Sequence, residues 1–256
     1  METVELRNLN EHSYARKESL RALKTNLQFC GDDVKTIVFT SALPDEGKST
    51  VVFDLARSLT DSGKSVLLID SDIRKSVLVG RLRAKSAGKA EIRGLSHYLT
   101  GQSKLSDILY STQVPKLMMI FAGPSVPNPT EILEKKYFDE LLEFAKQQFD
   151  YILIDSAPIG AAIDAAVISK KCDGAVLVVG QGEVNSRLIQ SVVKQLEASG
   201  VRILGAVLNK VKMEATHYGK YYGKYYGKYY GKYYGRYYGN YYGNYYGNNE
   251  EKDDEE

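Results

Sequence analysis

Residues 36–50 read TIVFTSALPDEGKST, and VVFDLARSL (51–59) follows directly. A short apolar run breaks into a loop of small, acidic and proline residues, after which apolar residues recur at helical spacing. That order is strand, loop, helix. Inside it, Ala42-Leu43-Pro44-Asp45-Glu46-Gly47-Lys48-Ser49 has the spacing of a phosphate-binding P-loop, with Ala42 where the first glycine usually stands. Gly47 lets backbone N–H groups turn toward phosphate, and the helix start adds its own unpaired donors and dipole. Asp45, Glu46, Gly47, Lys48, Ser49 and Thr50 are therefore expected to cradle a nucleotide. Lys48 can reach the β and γ phosphates, and the Ser49 hydroxyl can ligate Mg²⁺.

Five further apolar runs repeat the first: SVLLID (65–70), LMMIF (117–121), YILID (151–155), GAVLVV (174–179) and VRILGAVLN (201–209). Each is continuous instead of alternating, as strands of a parallel sheet covered on both faces read. Amphipathic segments lie between them, such as FDELLEFAKQQF (138–149) and SRLIQSVVKQLEAS (186–199). The expected fold class is α/β, a parallel P-loop sheet flanked by helices on both faces. Ahead of the first strand, residues 14–29 place Leu20, Leu23 and Leu27 on one helical face, with Glu18, Arg21 and Lys24 forming a charged flank. From the pattern alone this is a helix packed on the body with one solvated side.

Asp70 and Asp72 close the second run and Asp155 closes the fourth. Ligands of parallel α/β sheets collect at the carboxyl ends of strands. Three acids at two such ends, beside a P-loop, would repel one another unless a cation such as Mg²⁺ sat among them. Capping the next helix accounts for Asp72 or Asp155 singly but poorly for all three. The last run ends in Asn209-Lys210-Val211-Lys212. A guanine reader would need an acceptor at 212, and a lysine cannot accept a hydrogen bond. Adenine is the expected base, with Asn209 at its edge.

Composition narrows the remaining classes. The net charge is +2, and residues 218–256 carry 6 basic against 6 acidic side chains, so neither part has the basic excess of a nucleic-acid binder. Cys30 and Cys172 lack metal-site spacing and read as buried free thiols of a reducing compartment. No run approaches the ~20 apolar residues of a membrane span, and METVELRNLNEH has no apolar signal core. A cytoplasmic protein is expected, reaching a membrane only through a partner. The chain divides into an N-terminal helical segment (1–34), a nucleotide-binding domain (35–213) and a tail (214–256).

The tail holds 15 of the 20 tyrosines: Tyr218, Tyr221, Tyr222, Tyr225, Tyr226, Tyr229, Tyr230, Tyr233, Tyr234, Tyr237, Tyr238, Tyr241, Tyr242, Tyr245 and Tyr246. From Tyr221 it repeats YYGK three times, YYGR once and YYGN three times. Glycine at every fourth position opposes helix by roughly 1 kcal/mol each. With no aliphatic residue after Ala215, disorder is expected. A low-complexity aromatic tail can self-associate weakly or stack on single-stranded nucleic acid. Its neutrality and its acidic end, EEKDDEE, argue against nucleic acid. As a phosphate acceptor it makes better sense, since repeated tyrosines raise the local acceptor concentration.

Together these residues resemble the bacterial tyrosine kinases that control capsule and exopolysaccharide synthesis, over about residues 14–213. Ala42–Thr50 matches the family's Walker A motif, LLIDSDIR (67–74) its second Walker-like motif, and YILIDSAP (151–158) its Walker B motif. GPSVPNPTEIL (123–133) resembles its Pro-Asn-Pro loop, and Asp164-Ala165 follows Walker B as in the family. Glu18-x-x-Arg21-x-x-Lys24 resembles its oligomerisation motif, with Lys24 in place of an arginine and without arginine's bidentate fork. Ala157-Pro158 stands where the family often has two prolines.

The resemblance implies an ATP- and Mg²⁺-dependent protein-tyrosine kinase that phosphorylates its own tail. In it Lys48, Asp70, Asp72 and Asp155 would be catalytic. Ser49, Asp72 and Asp155 would hold Mg²⁺ directly or through water, and Asp70 would accept the tyrosine proton. It further implies a closed ring, an octamer in the family, in which one subunit's tail enters its neighbour's site through an interface at Glu18, Arg21 and Lys24. A separate transmembrane activator of polysaccharide export and a cognate tyrosine phosphatase complete the implied partners. The main rival is a P-loop ATPase acting as a positioning switch. Those carry a lysine five residues before the P-loop lysine, where this chain has Leu43.

Overall fold

The computed structural model describes residues 2–9, 11–88 and 91–211. Lys212 and the tail with its 15 tyrosines lie outside the described residues. In chain order the elements are β1 (Glu2–Glu5), α1 (Tyr14–Gln28), β2 (Thr36–Ser41), α2 (Lys48–Thr60), β3 (Val66–Asp70), α3 (Leu78–Leu82) and β4 (Lys85–Ser86). Then come α4 (Leu95–Leu99), β5 (Tyr110–Thr112), β6 (Leu117–Ile120), α5 (Pro129–Glu134), α6 (Lys136–Gln148), β7 (Tyr151–Asp155), α7 (Asp164–Ser169), β8 (Gly174–Gly180), α8 (Ser186–Ala198) and β9 (Ile203–Asn209).

All six apolar runs form strands of one sheet ordered β4-β1-β5-β6-β3-β7-β2-β8-β9. From β6 to β9 every neighbouring pair is parallel. Burial explains why these runs are apolar throughout. Ile37, Phe39, Leu68, Leu153 and Val178 pack on one face with Leu27 of α1 and Val52, Leu55 and Leu59 of α2. Val38, Leu67, Ile69, Ile152, Ile154 and Leu177 pack on the other with Phe138, Leu141 and Leu142 of α6 and Val192 and Leu196 of α8. Each such side chain contributes roughly 1.5–3 kcal/mol when fully buried, so every residue of an inner strand is constrained.

Two features depart from that pattern. β9 is apolar yet mostly half-buried or exposed, because among the described residues it is an edge strand paired only with β8. Three short strands, β1, β4 and β5, extend the sheet beyond β6. β1 pairs parallel with β5 and antiparallel with β4, and β5 pairs antiparallel with β6. In β1 only Val4 is buried, so Glu2–Glu5 carries almost no apolar signal.

α1 begins on Ser13, whose Oγ accepts from the Arg16 amide. Leu20 and Leu27 are buried, with Leu23 packed beside the same core. Glu18 and Arg21 pair with each other at 2.5 Å on the exposed side, while Lys24 reaches Ser62 Oγ just past α2. Cys30 and Cys172 are free and half-buried, not fully buried as the sequence suggested. Each Sγ lies 3.3 Å from a carbonyl four residues back. Among the described residues no helix is long and apolar enough to cross a membrane.

Candidate active site

The P-loop runs from the end of β2 to the start of α2 and is braced from both sides. Gly47 adopts φ 84°, a left-handed conformation natural to glycine, and a Cβ there would collide with the Asn209 amide. The Glu46 side chain points inward. Its two carboxylate oxygens accept from Leu43 N at 2.7 Å and from Gly180 N at 2.9 Å, fastening the loop to the end of β8. Asn209, at the end of β9, donates from Nδ2 to the Glu46 carbonyl at 2.9 Å. Glu46 and Asn209 thus meet at the loop, and Glu46 can offer a nucleotide only its backbone. Asp45 is exposed at φ 65° on the loop's outer bend. Ser49 is buried in the first turn of α2, and the neighbouring Thr50 Oγ1 has no hydrogen-bond partner.

Sheet register brings the acids together. β7 lies between β3 and β2, so Asp155 is paired with Asp70 on one side and with Phe39, two residues before the loop, on the other. Asp70, Asp155 and Lys48 are all buried, and Lys48 Nζ forms an ion pair with Asp155 Oδ1. One ammonium faces two buried carboxylates. Burial first, and the Asp155 charge second, push Asp70 up to about 8 despite a 2.5 Å bond from Ser76 Oγ and the Lys48 charge. Asp70 therefore keeps its proton at neutral pH. A divalent cation would replace that proton and relieve the same excess of negative charge, so the residues suit Mg²⁺. Among the described residues no group of three or more His, Cys, Asp or Glu side chains could hold a metal ion.

Asp72 stands at the edge of this cluster. Its amide donates to Asp70 Oδ1 at 3.1 Å, and its own Oδ1 accepts from Lys75 N at 3.0 Å. It is half-buried and shapes the turn that carries Ser76 back to Asp70. Its bond to Lys75 N closes a turn ahead of α3, whose N-cap is Val77 without a side-chain cap, so Asp72 does not cap the next helix.

Arg74 makes a connection to which the sequence assigned no role. Its guanidinium forks onto Asp164, Nε to Oδ2 at 2.6 Å and Nη2 to Oδ1 at 3.0 Å. Thr130 Oγ1, in the first turn of α5, donates to Asp164 Oδ1 at 2.5 Å and accepts from Arg74 at 3.2 Å. Asp164 is buried, so one cationic and one hydroxyl partner satisfy a charge that would otherwise be costly. The loops after β3, before α5 and before α7 are tied together in this way. The Pro-Asn-Pro stretch and Asp164 were both noticeable in the sequence, but nothing linked them across that distance.

The AAA domain family model matches residues 34–184. A curated relative, the tyrosine-protein kinase CpsD of Streptococcus agalactiae, is 43% identical over 205 residues, 80% of this chain and 88% of that one. The chain belongs to the bacterial tyrosine-kinase family. The solved kinase domain of the Escherichia coli tyrosine kinase ETK superposes with a TM-score of 0.72 at 29% identity, covering 82% of this chain and 84% of that one. The septum site-determining protein MinD of Pyrococcus horikoshii, solved with Mg-ADP, gives a TM-score of 0.57 at 25% identity over 71% and 72% of the two chains. This tyrosine kinase therefore shares its sheet with positioning ATPases. Its resemblance to the kinases is greater.

Proposed function

We propose that the chain transfers the γ-phosphoryl group of ATP to the tyrosines of its own tail, with Mg²⁺ bound. The acceptor is the tail of a neighbouring copy in a ring. In this reading Lys48 leaves Asp155 to hold the transferring phosphoryl group, and Ser49, Asp72 and Asp155 hold Mg²⁺ directly or through water. The metal supplies charge neutralisation at the phosphates. Asp70 accepts the tyrosine proton once bound Mg²⁺ has displaced the proton it holds in the empty site. Positioning and electrostatics supply most of the acceleration in such transfers. The observation that carries the reading is the buried Asp70–Asp155–Lys48 constellation beside the P-loop.

The capsule relatives support a role in regulating capsule or exopolysaccharide polymerisation and export. A separate transmembrane activator would recruit the chain to the inner face of the membrane, and a tyrosine phosphatase would reset it. Glu18 and Arg21, exposed on α1, are available to a neighbouring copy, and Lys24 would have to leave Ser62 to join them. Asn209 would present its remaining polar atoms to adenine. Purified chain with labelled ATP and Mg²⁺ should label tail tyrosines, and light scattering should show large oligomers that dissociate on phosphorylation or on Arg21→Ala. A monomer under every condition removes the ring from this account.

A further inference from the structure

A cavity of about 530 Å³ lies beside α2, walled by the segment leading into α1 and by α3. Its charged lining includes Arg16, Arg57, Arg81 and His12, against the acids Glu11 and Asp54. Arg16 is paired with Asp54, and His12 Nε2 lies 3.2 Å from the same carboxylate. Phe53, Leu78 and Leu82 supply an apolar wall. Thr50 Oγ1, on a lining residue, is buried without a hydrogen-bond partner, while His12 Nε2 has the Asp54 carboxylate beside it. A buried polar group left unmatched costs about 1–3 kcal/mol, so Thr50 marks a border at which a ligand with polar atoms is favoured.

The position is as informative as the chemistry. Ser49 and Thr50, in the first turn of α2, form one border of the cavity. Leu78, Arg81 and Leu82 form another, on the short helix that follows Ser76, the partner of Asp70. The cavity therefore adjoins the transfer site and shares Ser49 and Thr50 with the P-loop. An occupant needs an anionic end for the arginines and a flat apolar body for Phe53 and the leucines. A phosphotyrosyl side chain has both, and the tail places each tyrosine of its repeats next to another.

We propose that this cavity is a second subsite that takes a phosphotyrosine of an acceptor tail while another tyrosine of that tail lies at the P-loop. The inference rests on the tail-phosphorylation reading above and deepens it. Its aryl ring would lie on the apolar wall and its phosphate would meet Arg81 and Arg57. The first phosphate added to a tail would then favour addition of the next.

The test uses the full-length chain, first dephosphorylated and then saturated with Mg-ADP so that the P-loop is filled. It is titrated with fluorescent peptides of the tail repeat bearing one phosphotyrosine or none. The phosphopeptide should bind about tenfold tighter, as a charge-assisted phosphate–arginine contact provides, and Arg81→Gln should remove most of that preference. Should Arg81→Gln fail to fold, Arg81→Lys keeps the charge but not the fork and should retain part of it. Equal binding of the two peptides overturns the proposal, as does an undiminished preference in Arg81→Gln. Equal displacement by inorganic phosphate also overturns it, since the site would then recognise a free anion only. A tail that ATP never labels defeats the underlying kinase reading, whereas a labelled tail without phosphopeptide preference defeats this inference alone.

Discussion

Asp70 and Asp155 stand opposite each other in register across β3 and β7, and Lys48, buried with them, is bonded to Asp155. The arrangement leaves one buried carboxyl without a counter-ion, so it retains a proton that metal binding can displace. A site poised in this way is less stable empty than filled.

The first consequence is a pH dependence of the nucleotide-free chain. Asp70 has an ordinary value of 3.8 unfolded and about 8 folded, so between these values the folded chain holds the extra proton. Its contribution to stability is full below about pH 4, erodes as pH rises, and is gone above about pH 8. Thermal melting of the chain without metal should therefore worsen over that window. Asp70→Asn should flatten the dependence and raise the Tm at pH 8 by about 2–4 °C for each kcal/mol recovered, while abolishing phosphotransfer. Mg²⁺ affinity should rise with pH over the same range, because binding releases the proton.

Removing Lys48 should affect stability as well as chemistry. Lys48→Met leaves Asp155 buried beside Asp70 with no cation, and breaking one side of a buried pair costs about 3–5 kcal/mol. Chemical denaturation should show this loss in the metal-free chain. Adding Asp155→Asn to Lys48→Met should restore most of the stability and none of the activity.

Glu46 should govern nucleotide affinity without touching the nucleotide through its side chain. Glu46→Ala frees Leu43 N and Gly180 N, loosening the loop from β8. ATP affinity measured by calorimetry should fall about tenfold, the scale of one lost charged hydrogen bond. Glu46→Gln, which keeps one acceptor oxygen, should fall between the two.

The Arg74–Asp164 fork should behave as one unit. Arg74→Ala and Asp164→Ala should each destabilise the chain, and the double variant should cost less than the sum by about 1–3 kcal/mol. Arg74→Lys should rescue only in part because lysine lacks the fork.

The legible part of the molecule was the part where burial acts on consecutive residues. TIVF, SVLLID and YILID are covered on both faces, so each strand announces itself without reference to any other segment. The P-loop and the strand-end acids follow from local spacing in the same way. Glu2–Glu5 buries one valine and was not legible. VRILGAVLN looked like an inner strand because composition does not report the missing neighbour of an edge. The inward turn of Glu46 toward Gly180 and the Arg74–Asp164 fork depend on contacts across 134 and 90 residues of chain, which no motif encodes.

The most direct test separates donor from acceptor. Lys48→Met chain with an intact tail is mixed with active chain whose tail tyrosines are all phenylalanine, and labelled ATP and Mg²⁺ are added. Mass spectrometry should find phosphate on tail tyrosines of the inactive chain. ATP hydrolysis without any phosphotyrosine on that chain, even with a membrane activator present, would contradict the account and favour a switch ATPase.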